Sequence, residues 1–217
     1  MEVRVLSWAQ MMQNPRGVSP RGFCYDEPMA LFTGKGDGGT TKVLDSKERI
    51  PKSSELPECL GTLDELNSFI GLARAHARRE GDPTIEVAGK ELTTSGILHE
   101  VQETLFIIQA EVAGSDKRFG QERVEEISTI VNEIEKVIPP ITSFSIAGGT
   151  ELSAVLDVAR TLARRAERRL SGIEVAQIRL LSDPTRAYAN RLSSLLFALA
   201  RLANHRSGIK EENPSYR

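Results

Sequence analysis

The sequence predicts an all-α protein: an up-and-down bundle of five helices behind an irregular N-terminal segment. Apolar residues recur at three- and four-residue spacing through five stretches between about residue 62 and residue 206. Short connectors marked by Gly or Pro separate those stretches, and none of them alternates as a half-buried strand does. At 217 residues the chain suits one domain with a sizeable core.

Residues 1–31 mix Pro, Gly, Met and Arg without periodicity and read as an irregular extension. Residues 32–58 hold a glycine-rich run and the polar, Pro-punctuated segment Lys47–Ser54. The bundle is expected over 59–207, with 208–217 as a tail. Thr62-Leu63-Asp64-Glu65 reads as a capping box, and Leu63, Leu66, Ile70, Ala73 and Ala77 continue one stripe to a stop near Gly81. A second helix is expected over about 91–113, with Ile97, Val101, Leu105, Ile108 and Val112 on one side. A third covers about 121–138 and ends at Pro139-Pro140. The connector Ile141–Gly149 carries an apolar residue, Phe144. Thr150 caps the fourth helix, which stops near Gly172, and Ser182-Asp183-Pro184 opens the fifth, which runs to about Arg206.

Charge and composition exclude several function classes. A net charge of −2 and a pI of about 6.0 provide no bulk attraction to nucleic acid or to membrane surfaces. Aromatic residues make up only 5%, too few for a stacking platform on single-stranded nucleic acid. An arginine-helix RNA-binding module is therefore disfavoured. Cys24 and Cys59 lie far apart without metal spacing, which points to a reduced, cytoplasmic protein. His76, His99 and His205 are isolated in sequence and read as surface or helix-end residues. No apolar run reaches membrane-spanning length, and the first thirty residues lack signal-peptide order.

Three segments carry chemistry. On the fourth helix Arg160, Arg164, Glu167 and Arg168 share one stripe, with Arg165 and Arg169 at its border. Val155, Leu162, Ala163, Ala166 and Leu170 form the opposite, core-directed face. Guanidinium forks suit phosphate oxygens, and the single carboxylate can hold an arginine or accept a sugar hydroxyl. The commoner alternative for such a helix is a solvated face with intrahelical ion pairs. The second segment is Thr33-Gly34-Lys35-Gly36-Asp37-Gly38-Gly39-Thr40-Thr41, whose bare backbone amides, hydroxyls and lysines can converge on an anion. It matches neither a Walker A loop nor a dinucleotide fingerprint, and alone it reads equally as a surface turn. In the third, Asn190 precedes Leu192, Leu195, Leu196 and Leu199 on one helix and is a candidate base or ribose reader.

Taken in order, five motifs resemble the PduO-type ATP:cob(I)alamin adenosyltransferase family. They are Thr33–Thr41, Gly61-Thr62-Leu63-Asp64-Glu65-Leu66, Phe144 with Gly148-Gly149, Arg164-Arg165-Ala166-Glu167-Arg168-Arg169, and Asn190-Arg191-Leu192-Ser193. The resemblance covers roughly residues 32–206. It implies a five-helix bundle with ferritin-like packing, assembling as a homotrimer with active sites between subunits. It also implies transfer of the 5′-deoxyadenosyl group of ATP to reduced cobalamin, with Mg²⁺ on the phosphates. A cobalamin reductase or a cobalamin-dependent enzyme is an implied partner; nucleic acid and membrane are not.

Carried over by position, the ATP-binding set is Thr33, Gly34, Lys35, Gly36, Asp37, Gly39, Thr40, Thr41, Lys52, Arg160, Arg164, Arg165, Glu167, Arg168 and Asn190. Glu167 would contact the nucleoside and Asn190 the ribose or base. Asp64 would pair with Arg164 across the subunit boundary, and Phe144 would displace the lower axial ligand of the corrinoid. Arg164, Asp64, Glu167 and Phe144 form the implied catalytic group. The chain departs from the family pattern at Gly34-Lys35, Ala147, Ala163 and Ser194. A different class of function, an ATP sensor or cobalamin-delivery bundle without catalysis, would use the same site.

Overall fold

Helices dominate the structure, a computed structural model that describes residues 32–44 and 48–216. They are α1 (Glu55–Arg79), α2 (Thr94–Val112), α3 (Gln121–Val137), α4 (Glu151–Val175) and α5 (Asp183–Arg206). The irregular extension expected over 1–31, and Cys24 within it, lie outside the described residues. Among the described residues no helix is long and apolar enough to cross a membrane.

Helix α1 starts at Glu55, seven residues before the expected capping box. Thr62 is buried inside the helix, and its hydroxyl donates to Glu58 O at 2.8 Å. The reading fails because Glu55-Leu56-Pro57-Glu58 already makes a good first turn, with acidic residues facing the positive helix end and Pro57 where no amide is needed. At the other end α4 passes through Gly172 to Val175, since Ile173 is buried and holds that turn against the core. The caps expected for α4 and the start of α5 hold: Thr150 Oγ1 accepts from Ser153 N at 3.0 Å, and Pro184 lies in the first turn of α5.

Two antiparallel hairpins were not foreseen in the helical pattern. Strands β1 (Thr40–Lys42) and β2 (Arg49–Pro51) pair with Thr41 opposite Ile50. Strands β3 (Thr84–Val87) and β4 (Lys90–Thr93) pair with Ile85 opposite Leu92 and link α1 to α2. Each strand is only three or four residues long, too short to display a period in sequence.

Helix α1 packs against α2 and α4, and α4 against α5, which also carries α3. Leu63, Leu66, Ile70, Leu105, Ile108, Leu152, Leu156, Leu192 and Leu195 fill the shared core. Carboxylates tie helix ends across the bundle. Glu111 of α2 is fully buried and accepts from Ser182 N at 2.6 Å and Thr185 Oγ1 at 2.6 Å, capping α5 from another helix. Arg118 Nε, 3.1 Å away, compensates its charge. Glu80 similarly accepts from Leu152 N at 2.8 Å at the start of α4. His76, isolated in sequence, sits in this corner with its Nδ1 3.9 Å from Glu80 and 3.5 Å from Glu151, which Arg79 also binds at 2.7 Å. The antiparallel course of α1 and α4 that these contacts require is what brings the arginine stripe beside the first half of α1.

Candidate active site

Helix α4 presents its five arginines in two different states. Arg160 is held by Asp157 at 2.9 Å, Arg165 by Glu65 and Arg169 by Glu58 at 3.1 Å, the last two across to α1. Arg164 and Arg168 are exposed and have no ion pair or hydrogen bond among the described residues. They stand one turn apart, so two guanidinium groups rise side by side from a rigid support. Of the arginines expected to bind ATP, Arg160 and Arg165 are braced by carboxylates, and Arg164 and Arg168 are open.

Glu167 and Asn190, far apart in sequence, meet between α4 and α5. Asn190 Nδ2 donates to Glu167 Oε1 at 2.9 Å, fixing the carboxylate and leaving the amide oxygen as an acceptor. Both helices bury leucines and alanines behind this pair, so its polar atoms face outward. Asp64, on the exposed side of α1, has no described partner and does not pair with Arg164 inside the chain.

The glycine-rich run forms consecutive turns that lead into β1. Asp37 N bonds to Gly34 O and Gly39 N to Gly36 O, both at 3.1 Å, so two of the amides expected to converge on an anion close turns instead. Gly39, at φ +75°, occupies a left-handed conformation that a side chain would strain. Lys52 N bonds to Gly39 O at 2.9 Å, and the Lys52 ammonium lies over Gly36, 2.9 Å from where a Cβ would stand. The expected company of Lys52 and the loop is therefore present. Arg49, which sequence reasoning missed, ties the loop shut: it donates to Lys35 O and Thr40 O at 2.7 Å each and to Thr40 Oγ1 at 2.9 Å. Its signal in sequence was nil, because its partners are mainly backbone carbonyls set by the hairpin register. Lys35, Thr33 and Thr41 line the same short loop, and Ser54 starts α1 two residues beyond Lys52.

The connector between α3 and α4 holds Phe144 with 79% of its surface exposed, flanked by exposed Ile141 and Ile146. Asn204 of α5 fixes the end of this connector by donating to Gly148 O at 2.9 Å and accepting from Thr150 N at 3.1 Å. Gly149 has φ +117°, and a Cβ there would fall 2.2 Å from Asn204 Oδ1, which explains the paired glycines. Burial raises the Cys59 thiol from its ordinary 9.0 to about 12, so the thiol behind α1 stays protonated and is no nucleophile.

The family model for cobalamin adenosyltransferase matches residues 31–203. The chain belongs to that family. The chain is 36% identical over 181 residues to the corrinoid adenosyltransferase of Bacillus subtilis, covering 83% of this chain and 90% of that one. It is also 36% identical to the corrinoid adenosyltransferase PduO of Salmonella typhimurium, covering 85% of this chain but 53% of the longer relative. Among solved structures it resembles a variant of the PduO-type ATP:corrinoid adenosyltransferase from Lactobacillus reuteri complexed with cobalamin and ATP. The TM-score is 0.72 at 26% identity, over 85% of this chain and 96% of that one.

Proposed function

We infer that this adenosyltransferase moves the 5′-deoxyadenosyl group of ATP onto the cobalt of reduced cob(I)alamin, giving adenosylcobalamin and triphosphate. The observation that carries the reading is the pair of guanidinium groups without a partner among the described residues, Arg164 and Arg168, beside the Glu167–Asn190 pair. It sits in a chain whose curated relatives are named for the same transfer.

In the reaction the cobalt electron pair attacks C5′, the C5′–O bond breaks, and its electrons leave on the triphosphate. The nucleophile is the metal of the substrate, so the protein needs no activated side chain. Its work is to align C5′ and to stabilise charge growing on the leaving oxygens. Arg164 and Arg168 take that charge; the loop Thr33–Thr41 with Lys52 wraps the phosphates, and Arg165 and Arg160 hold the stripe in place through their carboxylates. Glu167 and Asn190 read the nucleoside. Phe144 presents an apolar face to the corrinoid and removes its lower axial ligand, favouring the reduced, accessible cobalt.

Mg²⁺ fits this site as a phosphate-borne ion. The described loop offers it one carboxylate, Asp37, where a protein-built octahedral cage would need several oxygens. When bound, it neutralises phosphate charge. We further propose a homotrimer in which Asp64 of one subunit meets Arg164 of another, in a cytoplasmic setting where a reductase supplies Co(I). An anaerobic assay of cobalt–carbon bond formation from ATP and chemically reduced cobalamin tests the reading. Bond formation with release of triphosphate is expected; ATP binding without alkylation would favour a sensor or delivery protein.

A further inference from the structure

The connector that carries Phe144 has little packing of its own. Phe144, Ile141 and Ile146 are all exposed, and the connector spans a cleft of about 280 Å³ rather than core. Its course is set by bonds from the end of α5 and the tail after it. Arg201, only 7% exposed, donates from Nη2 to Pro139 O at 2.9 Å, at the connector's start. The same guanidinium donates from Nε to both carboxylate oxygens of Glu211 in the tail, at 2.9 and 3.0 Å, and lies over the Phe197 ring at 5.9 Å. The tail then reaches the middle of the connector, where Ile146 N donates to Glu212 O at 2.8 Å. Asn204 holds the far end.

We propose that Arg201 and the tail segment Glu211-Glu212 form an anchor that sets the position of Phe144, and that Arg201 is a positioning residue for the corrinoid half of the reaction. A buried guanidinium needs a carboxylate, and Glu211 is the one it binds. The tail is therefore drawn onto α5, and only from there does its backbone reach Ile146. Loss of Glu211 frees the tail and removes the bond to the middle of the connector, while Arg201 alone still holds Pro139. The anchor rests on the assignment of Phe144 to the corrinoid.

The test compares Glu211→Gln, Arg201→Lys and Phe144→Ala in the full chain. Each is assayed for KM toward ATP, KM toward the corrinoid, thermal midpoint, and the absorption signature of bound corrinoid lacking its lower axial ligand. Glu211→Gln and Arg201→Lys should leave the ATP KM within about twofold while raising the corrinoid KM roughly five- to tenfold, with the axial-ligand-free signature falling in step. Adding Phe144→Ala to Glu211→Gln should cost little beyond Phe144→Ala alone. If Phe144→Ala removes the signature while both anchor variants keep it, the anchor is wrong and the corrinoid assignment stands. If Phe144→Ala keeps the signature, both fall. An equal loss of ATP and corrinoid binding would make Arg201 a general packing residue and overturn the proposal. Glu211 is half-buried in the tail and outside the helical core, so its variant decides the matter should Arg201→Lys fail to fold.

Discussion

Arg164 and Arg168 differ from the other arginines of α4 because no described carboxylate balances them. A free guanidinium on a rigid helix contributes little to the fold and much to anion binding. Arg164→Ala should therefore change unfolding free energy by less than about 0.5 kcal/mol while weakening transition-state binding by about 2–5 kcal/mol. Near-normal kcat/KM in this variant would remove Arg164 from the site. Cys59 gives a contrasting residue-scale prediction. Burial holds its thiol protonated to about pH 12, and burial likewise raises Tyr188 from 10.0 to about 12. In the unfolded chain both ionise at lower pH, so the native state binds more protons and its stability falls as pH rises from about 9 toward 12. Urea midpoints at pH 8 and pH 10.5 should show that decline, and Cys59→Ala should flatten it.

At the scale of elements, Glu111 of α2 caps the start of α5, whose own N-cap residue Ser182 makes no side-chain cap. Its carboxylate takes the Ser182 amide and the Ser182 and Thr185 hydroxyls inside the protein, and Arg118 closes the charge. Glu111→Ala leaves those donors without their acceptor and Arg118 without its carboxylate, and should destabilise the fold by about 3–5 kcal/mol, read by denaturant unfolding. A loss below about 1 kcal/mol would mean that water replaces the carboxylate. Nothing near Glu111 in sequence announces this role, because its partners lie some seventy residues away. The same limit explains what else the sequence did and did not make legible. The periodic stripes of α1, α2, α4 and α5 were readable because each buries one face continuously. The start of α1 was misread because Thr62-Leu63-Asp64-Glu65 has capping chemistry but sits where the preceding turn is already helical. In the site, the arginine–glutamate row was legible from spacing alone, whereas the brace of Arg165 by Glu65 and the closure of the loop by Arg49 depend on which elements meet.

Over the whole molecule, the single chain holds the parts of the proposed site without joining all of them. The β1–β2 hairpin lies between the glycine loop and α1, and α1 pairs with the arginine stripe through Glu58 and Glu65. No described contact joins the loop to Arg164 or Arg168, and Asp64 stands exposed on α1 with no partner among the described residues. Opposite charges left open on two exposed faces are what a complex between copies can satisfy. A site shared between subunits predicts that the monomer is inactive, so sedimentation should show an oligomer, expected to be a trimer, at concentrations where turnover is measured. Asp64→Ala should weaken assembly, activity or both, since an interface guanidinium left without its carboxylate is desolvated and unpaired. Asp64→Arg combined with Arg164→Asp should recover part of the assembly lost in either single variant, even though the phosphate contact of Arg164 is gone. Recovery of assembly without recovery of turnover would separate the two duties of Arg164. A fully active monomer at working concentration would refute the shared site and leave each chain to bind ATP with its own loop and its own α4.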